Sequence, residues 1–169
     1  MVHFVVKQIF SSRHRRQPQR FVTHAASMLA VVPGVEVAAV DDGLEVHGVD
    51  EKALREAVAR CYQRFPTEFT ASPVSVLTEA ISGAQPMMCA EFTVPWRCSR
   101  ELSRRLEQRG VTIDNYETVE GVIHLYARGA MESFLGVETD VAEVAAGEGS
   151  VALRFSHYDP VAACSEARG

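Results

Sequence analysis

Arginines at helical spacing are the residues of this chain best placed to do chemistry. Arg97, Arg100 and Arg104 fall three and four residues apart, and Arg105 and Arg109 occupy the neighbouring stripe. Guanidinium groups set in a row present planar forks that match phosphate oxygens, so one short helix here has the means to track an RNA backbone. The plainer alternative is a solvated helix face opposite Leu102 and Leu106, partly paired with Glu101 and Glu107. A second basic cluster, Arg13, His14, Arg15, Arg16 and Arg20, falls in a polar stretch and the helix start that follows it. Polar loops are the default at a protein surface, so this cluster has the same two readings. Arg97, Arg100, Arg104, Arg105, Arg109, Arg13, Arg15 and Arg16 form the candidate RNA- or partner-binding set.

Catalytic chemistry finds less support. His157 has no Ser or Cys nucleophile and third orienting group in a recognisable arrangement, and is expected to be a strand-end histidine satisfied by backbone hydrogen bonds. His24 and His47 read the same way. Cys98, beside Arg97 at a helix start, has positive surroundings of the kind that activate thiols, but nothing near it in sequence completes a site. The cysteines Cys61, Cys89, Cys98 and Cys164 show no CxxC and no partner histidines at metal spacing, so reduced thiols packed as small hydrophobes are expected. No GxxxxGK[ST] occurs, so no loop is available to wrap phosphates with backbone N–H groups, and no GTP or ATP binding is predicted. The expectation is a non-enzymatic protein with no catalytic residues, no metal and no cofactor.

Length and composition narrow the class. The 169 residues suffice for one ordinary domain or two small ones, and 47% hydrophobic residues can build a core. A formal charge of −5 argues against a mainly electrostatic nucleic-acid binder, although it leaves room for a local basic face. No apolar run approaches a membrane span, and the opening Met1-Val2-His3-Phe4 lacks the charged and apolar regions of a signal peptide. A cytoplasmic protein without a membrane partner is expected.

The elements that position these residues repeat one order: strand, helix, strand, strand, helix, strand. The first strand is predicted over about Val2 to Phe10. Pro18 suits the first turn of a helix that turns Phe21, Ala25, Met28, Leu29 and Val32 to one side. Val35 to Val40 and Leu44 to Gly48 read as strands joined through Asp41-Asp42-Gly43. Asp50 is a plausible N-cap for a helix with Leu54, Ala57, Val58, Cys61 and Phe65 inward. A last strand covers about Phe69 to Ile81, with Pro73 at an edge or bulge. Beyond the linker, Met87 to Val94 is a strand, the arginine-bearing helix closes at Gly110, and Val111 to Val119 and Val122 to Arg128 form a hairpin around Glu120-Gly121. A helix is predicted from Met131 to Ala146, ended by left-handed glycines at Gly147 and Gly149. Alternating Val151, Leu153 and Phe155 then mark a half-buried strand. The fold class is α+β: two ferredoxin-like (βαββαβ) units in tandem, antiparallel sheets with helices on one face. The expected boundaries are 1–81 for the first unit, 82–85 for a linker, 86–161 for the second unit and 162–169 for a tail.

Within the second unit, Gly136-x-x-Thr139-Asp140, Gly147-x-Gly149-Ser150 and Phe155-Ser156-His157-Tyr158 resemble domain V of elongation factor G, and Gln85-Pro86-Met87-Met88 is similar to the Glu-Pro-Ile-Met that opens that domain. The first unit resembles domain III more weakly. Asp41 to Gly48 is similar to the family's strand before its second helix, and Pro73-Val74-Ser75-Val76-Leu77-Thr78-Glu79-Ala80-Ile81 to its Pro-Gln-Val-Ala-Tyr-Arg-Glu-Thr-Ile. Val49-Asp50-Glu51-Lys52-Ala53-Leu54-Arg55 departs from the family's Met-Gly-Glu-Leu-His-Leu-Glu. The direct passage from the first unit to the second resembles LepA and BipA, with no domain IV and no GTPase domain.

The resemblance implies ferredoxin-like folds and a partner in the translation machinery: the ribosome, its RNA or a translation GTPase. Family members often carry Arg where Glu148 stands, and this reversed charge opposes a family-like RNA contact. The expected function is therefore a non-enzymatic binding module that modulates translation. The alternative is a module unrelated to translation, which forms a homodimer through sheet edges or binds a small effector between the units.

Overall fold

The computed structural model describes residues 1–160. Val161, the tail 162–169 and Cys164 lie outside the described residues. The chain divides into two units between Leu77 and Thr78, earlier than the boundary expected after Ile81. The expected linker belongs to a turn of its own: Gly83 N–H donates to Glu79 O and Glu79 N–H to Ala84 O, both at 2.9 Å. Gln85 already opens a strand.

Phenylalanines hold the first unit together. Phe21 stacks on Phe69 at 5.5 Å and meets Phe65 edge-on at 5.4 Å, and Phe10 lies 5.4 Å from Phe69. Around them run β1 (Val6–Ser12), α1 (Pro18–Leu29), β2 (Val35–Val40), β3 (Gly43–Gly48), α2 (Glu51–Arg64), β4 (Phe69–Ala71) and β5 (Ser75–Val76). The sheet order is β2-β3-β1-β4, with β5 also on β1 and every pairing antiparallel. Pro18 stands in the first turn of α1, and Asp50 caps α2 by accepting from Ala53 N–H at 2.8 Å. The single strand expected from Phe69 to Ile81 is instead two short ones. Phe10 faces Ala71 and Lys7 faces Ser75, so Ser72-Pro73-Val74 bulge against Gln8-Ile9. Pro73 has no N–H for the ladder. Ser72 covers the gap: its N–H donates to Ile9 O at 2.8 Å and its hydroxyl accepts from Ile9 N–H at 2.9 Å.

The second unit comprises β6 (Gln85–Pro95), a 3-10 turn (Trp96–Cys98), α3 (Ser99–Gln108), β7 (Thr112–Val119), β8 (Val122–Ala130), α4 (Met131–Phe134), α5 (Val137–Ala145) and β9 (Ser150–Asp159). Its sheet order, β7-β8-β6-β9, repeats that of the first unit, again antiparallel throughout. The expected α+β class, two ferredoxin-like sheets in tandem, is the observed one. Met88, Ala90, Phe92 and Val94 of β6 alternate inward and are buried, as are Leu102, Leu106, Phe134 and Val141 of the helices. The β7–β8 hairpin turns on Glu120 and Gly121, both at positive φ, the geometry of a two-residue type I′ turn.

Two expectations are corrected here. The helix predicted from Met131 to Ala146 breaks at Leu135-Gly136, where Gly136 takes φ +74°. The break rephases the buried stripe, so Val137 is fully buried and Leu135 and Val144 are only half-buried. At the other end, Ala146 and Gly147 take the left-handed conformation, whereas Gly149 does not. Gly149 is needed for space: a Cβ there would lie 2.8 Å from Val141 Cγ1 and 3.0 Å from both Ala145 Cβ and Val94 Cγ1.

Candidate nucleic-acid interface

The arginine helix α3 carries a strongly polar face opposite Leu102 and Leu106, both fully buried. Its arginines are not equivalent. Arg104 is held along the helix by Glu101, with Nε–Oε2 at 3.0 Å. Arg105 reaches Glu101 at 3.1 Å, Asp140 at 3.3 Å and Glu143 at 2.7 Å, the last two on α5. Arg109 binds Asp140 at 2.6 Å and donates to the carbonyls of Leu135 at 2.6 Å and Ser133 at 3.3 Å. Arg105 and Arg109 therefore clamp α3 to α5, and Arg109 also satisfies carbonyls left open at the end of α4. This departs from a row of outward-facing, free guanidinium groups. Hydrogen bonds from Arg104 and then Arg105 pull the Glu101 carboxyl down from 4.5 to about 2, so Glu101 is ionised at any pH where the fold is of interest.

Arg97, in the 3-10 turn, pairs with Glu148 of the turn after α5; both side chains are well exposed. Glu148 is thus partly answered by its own chain. Arg100 is exposed and enters no ion pair among the described residues. It borders an open groove of about 610 Å³ with Trp96, Tyr116, Ile113 and Ile123. Trp96 and Tyr116 are 59% and 66% exposed, unusual for large aromatics that could have joined the core. Sequence reasoning missed this pair. The available signal was a lone tryptophan immediately before the arginine helix and a tyrosine at an outward position of the following strand.

The other basic cluster comes together around one cavity. Arg13, Arg15, Arg16 and Arg20 line one cavity of about 550 Å³ with His14 and Glu68. The loop between β1 and α1 is fixed at its base by Arg13 N–H to Glu68 O at 2.8 Å and His14 N–H to Ser12 Oγ at 3.1 Å. None of these four arginines enters an ion pair among the described residues.

The nucleophile candidates stay apart. Cys98 is buried, and burial pushes the Cys61 thiol up to about 12. His157 is exposed and its Nδ1 lies 2.9 Å from Ser156 Oγ, a side-chain partner rather than the backbone one expected. His47 pairs with Glu45 at 2.6 Å, and His24 is exposed on α1. Among the described residues no group of three or more His, Cys, Asp or Glu side chains is arranged to hold a metal ion.

Sheet orders and helix placement define a tandem ferredoxin-like module with basic surfaces. Residues 85–168 match the family Elongation factor G C-terminus, so the second unit is an elongation factor G C-terminal-like domain. Domains of this family are non-catalytic modules of the translation machinery. A crystal structure of a protein from Thermus thermophilus is similar over 92% of the chain, with a TM-score of 0.60 and 12% identity, a likeness of fold. The chain spans 40% of the length of that protein. No helix among the described residues is long and apolar enough to cross a membrane.

Proposed function

We propose that this chain is a non-enzymatic, cytoplasmic binding module that associates with the ribosome or with a translation factor and so modulates translation. The observation that carries the reading is the match of residues 85–168 to the elongation factor G C-terminal family. A module of that shape occupies part of the surface used by full-length factors and competes with them there. On the second unit the contact face is built from Arg97, Arg100 and Arg104, with Trp96 and Tyr116 beside Arg100. Arginine beside exposed aromatic rings suits RNA, since guanidinium groups take phosphates and rings stack on bases. Arg105 and Arg109 support this face from behind by fixing α3 on α5.

The test is co-sedimentation with purified ribosomes across a salt series, using the wild type and a variant with Arg97, Arg100 and Arg104 changed to Ala. Wild type is expected in the ribosomal pellet at low salt. The variant is expected to bind more weakly, with a salt slope shallower by roughly 0.7 to 0.9 per lost phosphate contact. If wild type stays in the supernatant at every salt concentration, the translation reading fails. The dimerising interaction module then takes its place, and a protomer-mass doubling by light scattering is its signature.

A further inference from the structure

Four guanidinium groups, Arg13, Arg15, Arg16 and Arg20, surround one open cavity of about 550 Å³, against a single lining carboxylate, Glu68. Six of the other arginines are paired, while Arg64, Arg100 and Arg154 stand singly and enter no ion pair among the described residues. Arg60, Arg97, Arg104, Arg105, Arg109 and Arg128 all meet carboxylates. With 22 acidic residues against 17 basic ones, acidic partners are not scarce. Leaving four like charges together and unanswered raises the energy of the free protein, and a bound polyanion removes that repulsion. We propose that this cavity, on the first unit, is a binding site for the phosphodiester backbone of RNA.

The chemistry of the lining selects the ligand. Guanidinium forks take phosphate oxygens two at a time, which ammonium groups do not. The volume lies within the range of about 300 to 1,000 Å³ usual for ligand pockets, large enough for more than one phosphate. All four arginines and His14 are exposed, whereas Phe21 in the lining is only 2% exposed because it belongs to the core. The imidazole of His14 is the one exposed ring beside four guanidinium groups, so the site is weighted towards backbone rather than sequence recognition. The first turn of α1, which contributes Arg20, contains no acidic residue and receives no side-chain cap from Gln17. Nothing in that turn therefore competes with an incoming phosphate. The site lies in the unit outside the matched family segment and does not depend on the ribosome reading.

The experiment uses the full chain and two probes of shared phosphate chemistry: a fluorescein-labelled RNA of about 12 nucleotides, followed by anisotropy, and inorganic tripolyphosphate, followed by calorimetry. Salt runs from about 50 to about 200 mM, the range over which phosphate contacts are resolved. Wild type is expected to bind the RNA with little sequence preference, log K falling linearly with log salt. The double variant Arg15→Ala, Arg16→Ala is expected to lose about tenfold or more in affinity. Its slope should be shallower by about 1.4, at about 0.7 per single-strand phosphate contact. Glu68→Gln should bind RNA more tightly than wild type, and this gain of function guards against variants that merely misfold. Arg128→Ala, on the other unit and paired with Asp114, should bind the RNA as wild type does. No RNA binding at about 50 mM salt, or an unchanged slope in the double variant, overturns the proposal. Tripolyphosphate bound without RNA also overturns it, in favour of a small-polyanion site. Ribosome co-sedimentation lost while this RNA binding persists sinks the translation reading alone.

Discussion

At the scale of single residues, identical side chains on α3 do different work, and stability measurements will separate them. Arg109 is one-quarter exposed, holds Asp140 and closes two backbone carbonyls at the α4–α5 break. Its replacement by Ala leaves those carbonyls without their side-chain donor and Asp140 with only the longer contact to Arg105 at 3.3 Å. The expected loss is about 1.5 to 3 kcal/mol, the range for hydrogen bonds to charged groups, read from urea unfolding. Arg100→Ala breaks no ion pair and should stay within about 0.5 kcal/mol of wild type. Equal effects of the two substitutions would contradict the assignment of Arg109 as a clamp and Arg100 as a contact residue. Cys61 gives a second residue-level test. It is fully buried, with its thiol pushed up to about 12, so it is protonated and out of reach at neutral pH. Peptide mapping after a brief native alkylation should find Cys61 unmodified, and modification should appear only in denaturant. Labelling of Cys61 at equal rates in both conditions would contradict the burial.

At the scale of elements, the contact between α5 and β9 depends on Gly149. An Ala Cβ at that position sits 2.8 Å from Val141 and 3.0 Å from Val94 and Ala145, so these side chains or the backbone leading into β9 must shift. Gly149→Ala should cost about 1 to 3 kcal/mol, as overpacked cores do, and a wild-type unfolding midpoint would refute that packing. The α3–α5 clamp also has a pH signature. Glu101 has a folded value of about 2 against an ordinary 4.5. A depressed carboxyl stabilises the fold above its unfolded value and loses that contribution as pH falls through the folded one. The window is therefore about 4.5 down to about 2, and Glu101→Gln should flatten acid unfolding there. An unchanged acid limb in that variant would contradict the coupling. The sequence made the elements legible because apolar periodicity and turn residues mark both sheet orders. It did not reveal the break at Leu135-Gly136, since Phe134, Leu135, Val141, Val144 and Ala145 read as the buried face of one continuous helix. The clamp on that break comes from Arg109, far away along the chain. For the same reason the spacing of Arg105 and Arg109 was legible as a stripe, but their partners Asp140 and Glu143 were not. The β4–β5 bulge was legible at Pro73, and the role of Ser72 in filling it was not.

At the scale of the whole chain, each unit has its own sheet and its own buried side chains, and that predicts how the chain can be divided. The first unit centres on Phe10, Phe21, Leu29, Leu44, Leu54 and Phe69, and the second on Met88, Phe92, Leu102, Leu106, Leu125 and Phe134. Every strand pairing joins strands of one unit, and the division falls between Leu77 and Thr78. Cutting there severs no ladder: β5 ends at Val76, and the 79–84 turn is closed within the second unit. A unit of this size buries roughly 60% of the surface its unfolded chain exposes, so each is expected to be stable by only a few kcal/mol. The second unit has the clamp between α3 and α5 in addition to its core, whereas the first carries four unpaired arginines at one cavity. Residues 1–77 and residues 78–169, expressed separately, should each unfold cooperatively, with the first the less stable of the two. Raising salt screens like-charge repulsion, so it should stabilise the first fragment more than the second. Calorimetry of both fragments at two salt concentrations is the measurement. A fragment without a cooperative transition would show that its core is not self-sufficient, and a first fragment indifferent to salt would show that its arginines do not repel one another as their geometry requires.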